Sequence, residues 1–278
     1  APSNRSLRSR VGDLFVGARA GWYARRPMSD KASKAAPPAR PREGGEAFPA
    51  TMLSAVLGTS SSEAAIRASA WNRVARAYRP AVVRYVAMRF RKPDGDAEDL
   101  ANAFFARCVE RDTFGKFEPG RARFRTFLRT CLDRFVTDEI RAQRSAKRGG
   151  GKTEALGDGS ASDDVPDAET PDALAAFDAE FTRRVVSLAV EALRAELEAA
   201  GKTQHLAIFD RYYLAGDDPP TYSAIAGELG VAVHDVTNRL HFARRRFRAC
   251  TLEVLRELTA SEDEWREEAK AVLGVAPE

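Results

Sequence analysis

The sequence has only three cysteines in 278 residues, and that shortage removes two classes of architecture. Cys108, Cys131 and Cys250 lie far apart, with no CxxC pair and no nearby cluster of histidine or acidic partners. Neither a zinc site nor a disulfide framework is signalled, and the thiols read as small core side chains in a reducing compartment. Strand-like alternation of apolar and polar residues is missing throughout. No Gly-rich phosphate loop follows a strand, and neither His205 nor the cysteines form a nucleophile arrangement. An enzyme is therefore not expected, and neither is a metal or a cofactor. Long apolar runs are lacking too: none approaches the roughly 20 residues needed to cross a bilayer, and Leu14 to Val16 is far too short. A transmembrane role is excluded.

What is present is helical periodicity and unevenly distributed charge. The length suits two compact domains. The net charge of +4 is small, so its distribution carries more information than its total. Residues 1–62 mix Arg, Lys, Pro, Gly, Ser and Ala, with ten basic against four acidic residues in the first 50. A disordered basic extension is expected there, with room for one short helix. Met28-Ser29-Asp30 offers an alternative start, and an Arg-rich transit peptide is a lesser reading of the first 27 residues.

From Glu63 to Met88, Ile66, Ala70, Val74, Tyr78, Val82 and Tyr85 recur at helical spacing, and Pro80 predicts a bend or a helix pair. A turn at 92–96 precedes a second helix, where Glu98 and Asp99 suit a helix N-terminus and Leu100, Phe104 and Cys108 mark a buried stripe. A third helix is the clearest in the chain. Phe124, Phe127, Leu128, Cys131, Leu132, Phe135, Val136 and Ile140 share one apolar face, and Arg125, Arg129, Arg134 and Arg141 populate the rest. The three phenylalanines read as core rather than as base-stacking residues. Gly149-Gly150-Gly151 ends this stretch and opens a linker, residues 149–172, with seven acids and one lysine.

The second half, 173–278, restarts with an amphipathic helix from Ala173 to Ala200 ended by Gly201, and another from Gln204 to Leu214. Three further helices follow Pro220. The fold class is all-α. Between Thr221 and Arg248, Tyr222, Ile225, Ala226, Leu229, Gly230, Val231, Val236, Leu240 and Ala243 give the apolar pattern of a helix-turn-helix, with Gly230 where the turn is tight. In such a unit Thr237, Asn238, Arg239 and His241 face base edges and phosphates. Five arginines and no acid between Arg239 and Arg248 favour that reading. The plain alternative is a helical hairpin with a solvated basic face. Asp235 reads as a helix cap.

Asp96-Ala97-Glu98-Asp99-Leu100, then Phe104-Phe105 and Gly120 through Leu128, then Tyr222 through Arg246, occur in the order seen in the sigma-70 family. The chain resembles that family's short extracytoplasmic-function (ECF) type from Ala70 to Gly274. The resemblance implies an alternative sigma factor in the bacterial cytoplasm, with RNA polymerase core, through its beta and beta-prime subunits, and promoter DNA as partners. An anti-sigma factor is a further candidate partner; no membrane is involved. It implies that 63–148 is a region 2-like domain, which binds the polymerase clamp through Asp96, Glu98, Asp99, Leu100 and Asn102. The same domain would meet the minus-ten element through Arg123, Arg125, Arg129, Arg134, Arg141, Arg144, Lys147 and Arg148. Residues 173–278 would be a region 4-like domain, reading the minus-35 element through Thr237, Asn238, Arg239, His241, Arg244 and Arg245. Asn238 would pair with adenine, and the arginines would hold phosphates. Ala101, Asn102 and Ala103 stand where the family commonly has Gln-Glu, and Phe127 where it has Trp, so promoter bases are not carried across. Two alternatives stay open: a stand-alone helix-turn-helix regulator, and a sigma-fold interaction protein without initiation activity.

Overall fold

The computed structural model describes residues 54–147, 170–214 and 218–274. The basic extension up to residue 53, Arg148 and the acidic linker from 149 to 169 lie outside the described residues. Among those described, nine α-helices and no strand are found, so the chain is all-α. They are α1 (Ala55–Gly58), α2 (Ala64–Arg89), α3 (Asp94–Glu110), α4 (Phe124–Lys147), α5 (Pro171–Ala199), α6 (Thr203–Tyr213), α7 (Tyr222–Leu229), α8 (Val233–Glu257) and α9 (Glu262–Leu273). No helix among the described residues is long and apolar enough to cross a membrane.

Contacts divide these residues into two units: 54–187 with Arg256–Glu264, and Leu188–Leu255 with 265–274. The core of the first unit is aromatic. Tyr78 of α2 stacks on Phe181 of α5 at 4.9 Å and meets Phe124 of α4 edge-on at 5.5 Å. Phe114, in a 3-10 turn, stacks on Trp71 at 4.5 Å. Each fully buried aromatic contributes about 2 to 3 kcal/mol by leaving water. Phe124 and Phe135 are buried and Phe127 is half-buried among Phe117 and Phe124, as the apolar stripe of α4 anticipates.

Two details of this unit refine the sequence reading. Pro80 neither splits nor ends α2, which runs as one helix. Proline has no N–H to give the carbonyl of Arg76, four residues earlier. That carbonyl instead accepts from Nε of Arg184 on α5, at 3.0 Å. The described residues also begin ahead of Glu63, at Ser54. The Ser54 side chain accepts from the Leu57 amide at 3.2 Å, and Ala55, Val56 and Gly58 are buried. A Cβ at Gly58 would stand 2.9 Å from that of Ala70, so the close approach of α1 to α2 needs glycine there.

The second unit packs Leu193 and Leu197 of α5, Ile208, Phe209 and Tyr213 of α6, Ile225 of α7 and Val236, Leu240 and Phe247 of α8. Arg246 of α8 grips Glu196 of α5 with two bonds of 2.7 Å, and this holds the Glu196 carboxyl below its ordinary range. Trp265 of α9 donates its Nε1–H to the carbonyl of Leu252 at 3.0 Å.

Candidate nucleic-acid interface

The arginines of α4 fall into two groups. Arg125 and Arg129, one turn apart, both point Nη1 at the same oxygen of Asp178 on α5, at 3.2 and 3.4 Å. Their guanidinium groups lie over Phe181 and Phe177, at 5.9 and 5.3 Å from the ring centroids. Their side chains keep only 11% and 13% exposure. Nε of Arg129 is buried with no hydrogen-bond partner. Two cations expected to meet DNA are thus held inside the unit, by an acid and two rings that follow the linker. Arg134 and Arg141 are exposed, whereas Arg123 and Arg144 are half-buried. Lys147 closes the helix.

The N-terminus of α4 has its own partner. The buried Glu264 carboxylate accepts from the amides of Phe124, at 2.6 Å, and Ala260, at 3.0 Å. An acid there suits the positive end of the helix. Burial nonetheless raises its pKa above the ordinary carboxylate value, against those two bonds and the nearby Arg123 and Arg125.

On α3, Ala97, Ala101, Phe104 and Cys108 are buried and Leu100 is half-buried. Asp96, Glu98, Asp99 and Asn102 are exposed. Two of these four engage α2: Nε of Arg79 donates to Oδ1 of Asn102 at 2.9 Å, and its Nη2 lies 3.5 Å from Glu98. Asp96 and Asp99 remain a solvent-facing acidic pair.

In the second unit α7 and α8 are joined by residues 230–232. Thr221 caps α7 by accepting from the Ala224 amide at 3.2 Å. Gly230 ends it at φ 63°, a left-handed turn that a Cβ disfavours. Asn238, His241 and Arg245 are exposed on α8, whereas Thr237 and Arg239 are half-buried. The Thr237 hydroxyl donates to the Val233 carbonyl at 3.1 Å. Asp235 lies in the first turn of α8. Arg244 is committed inward. It donates to the hydroxyls of Tyr213 and Tyr222 and lies 5.5 Å from the ring centroids of Tyr212 and Tyr213. Burial pushes the Tyr213 phenol up to about 12, so it stays protonated as a partner for that guanidinium.

One known family model matches part of the first unit. Residues 74–146 match the family model for sigma-70 region 2. The match supports a sigma-70 family sigma factor with a role in transcription initiation, and with it binding to RNA polymerase core and to promoter DNA. That family is not enzymatic. No curated protein and no solved structure matches the chain.

The matched segment runs from Val74 in α2 to Ala146 in α4. It therefore holds the acidic face of α3 and all the basic residues of α4 except Lys147. Burial raises the thiols of Cys108, to about 12, and of Cys131 within it, so neither is primed as a nucleophile. Asp178 and Glu264, which engage the segment from outside it, were not legible in the sequence. They lie 49 and 140 residues from Arg129 and Phe124, and no local pattern announces either pairing.

Proposed function

We propose that the chain is an alternative sigma factor of the ECF type, with its region 2 and a region 4-like helix-turn-helix carried on opposite sides of an acidic linker. The observation that carries this reading is the sigma-70 region 2 match over 74–146, together with a second helical unit containing a capped helix, a left-handed glycine turn and a basic helix. Polymerase core supplies the catalysis, and the chain supplies promoter choice in the bacterial cytoplasm.

In this reading α3 docks on the clamp of the core through Asp96, Asp99 and their neighbours Glu98, Leu100 and Asn102. Contact with the minus-ten element falls to the solvent-facing basic residues of α4, Arg134 and Arg141, with the half-buried Arg123 and Arg144 and, next in the sequence, Lys147 and Arg148. Arg125 and Arg129 contribute to holding α5 instead. On α8, Asn238 and His241 are the candidates for base edges, and Thr237, Arg239 and Arg245 for phosphates. Arg244 orders the helix that presents them. The beta and beta-prime subunits are the expected surfaces on the core, and an anti-sigma factor is the expected regulator.

Gel shifts of the full chain on promoter-sized DNA, with and without purified core polymerase, test this. Tight, sequence-selective binding is expected only when core is present. Equally tight binding without core, to paired half-sites, would assign the chain to stand-alone regulators instead.

A further inference from the structure

A second cationic cluster lies in the Leu188–Leu255 unit, built around the ring of Phe242 on α8. The ammonium of Lys202, directly ahead of α6, stands 3.9 Å from the Phe242 centroid. His205, in the first turn of α6, meets the same ring edge-on at 5.1 Å. Arg239, one turn before Phe242 on α8, is half-buried, and its Nη1 is buried with no hydrogen-bond partner. A buried guanidinium nitrogen left unpaired is unfavourable, because its desolvation is not offset.

Lys202 and Arg239 both act on His205. His205 has its pKa lowered, first by burial and then by the charges of Lys202 and Arg239. Among the described residues none of the three forms an ion pair with a carboxylate. Glu196 lies within electrostatic reach of Lys202, but both its oxygens are held by Arg246. Asp210 on α6 is engaged by Arg194 at 2.8 Å. Three donor groups, converging from two helices with no internal acid, are complementary to a ligand that only accepts hydrogen bonds and carries negative charge. The positive end of α6 adds to the same field.

We propose that Lys202, His205 and Arg239 form a phosphate-binding site, and that a backbone phosphate of the DNA read by α8 fills it. The inference rests on the helix-turn-helix reading above and extends it to α6. Seating a phosphate sets negative charge beside Lys202 and Arg239 and offsets the penalty their charges impose on a protonated His205. The phosphate also stabilises protonated His205.

The test follows the three histidines of the full chain by NMR. Each is titrated with acid alone, with inorganic phosphate, and with a short nonspecific DNA duplex. Phosphate should raise the pKa of His205 and leave that of His234 in place, and the duplex should raise His205 as well. Separately, Lys202→Gln and Arg239→Gln should each weaken duplex binding uniformly across sequences and lower the salt slope by about 1.

No movement of His205 with either probe overturns the site. Movement with inorganic phosphate but not with duplex overturns the assignment to DNA. If the duplex perturbs His241 while His205 stays put, the helix-turn-helix reading survives and this inference fails. If the duplex perturbs none of the three, the helix-turn-helix reading itself fails.

Discussion

The two basic helices, α4 and α8, look alike in the sequence and are used differently in the structure. On α4 the arginines nearest the N-terminus are turned inward, with Arg125 and Arg129 sharing Asp178 over two phenylalanine rings. Those toward the C-terminus, Arg134 and Arg141, face solvent. On α8 the order is reversed. The N-terminal turns expose Asn238 and His241, whereas farther along Arg244 is taken by tyrosines and Arg246 by Glu196. An arginine's availability for DNA is set by the acids and rings on the helix packed beside it, not by its position in a basic run. Each helix thus turns part of its basic run inward and leaves part of it facing solvent.

Removing the acid that divides α4 should have the largest effect. Asp178→Ala leaves two nearly buried guanidinium groups without their carboxylate, and about 2 kcal/mol of stability should be lost in urea unfolding, reduced from the fully buried case because Asp178 is itself half-exposed. No loss would mean that the two arginines are held by the rings alone. On α8, Arg244→Ala should cost about 1 kcal/mol, since it strips a donor from the buried Tyr213 hydroxyl. Its DNA affinity should fall only as far as folding does. Arg134→Ala and Arg141→Ala sharpen the comparison from the other side. Their stability should stay within about 0.5 kcal/mol of the parent, while each lowers the salt slope of holoenzyme binding to DNA by about 1. If Arg125→Ala matched them in both respects, the division of α4 would be wrong.

The smallest expected effect is on pH dependence. His205 has a folded pKa below its ordinary 6.5. Across the interval between the two values the unfolded chain binds more protons, so stability is present above 6.5 and is lost as the pH falls through the folded value. Replacing His205 by Asn should flatten this acid limb. Thermal melts in phosphate-free buffer at several pH values measure it, and an unchanged limb would mean that the cationic surroundings of His205 are not felt.

Much of the fold was legible because its determinants are local. The apolar stripe of α4, the glycine after α7 and the helix ends near Gly201 need only neighbours a few residues away. The three helices after Pro220 were legible for the same reason. Pro80 left a bent helix or a helix pair open, and the support for a single helix is not local: the Arg76 carbonyl accepts from a side chain 108 residues downstream. The candidate site divides on the same line. Exposure of Asn238 and His241 follows from helical phase, which the sequence carries. The inward use of Arg125, Arg129 and Arg244 depends on Asp178, Tyr213 and Tyr222, whose approach depends on tertiary packing. The grouping of Lys202 and His205 around Phe242 was not legible, because the ring lies on another helix and reaches them only through tertiary packing.

Run-off transcription by purified core polymerase over a genomic fragment library, with the full chain added or withheld, tests the central claim most directly. Discrete start sites are expected that appear only with the chain and disappear when Arg134 and Arg141 are both replaced by alanine. Binding to core with no transcript from any fragment would contradict it and leave a sigma-like fold without initiation.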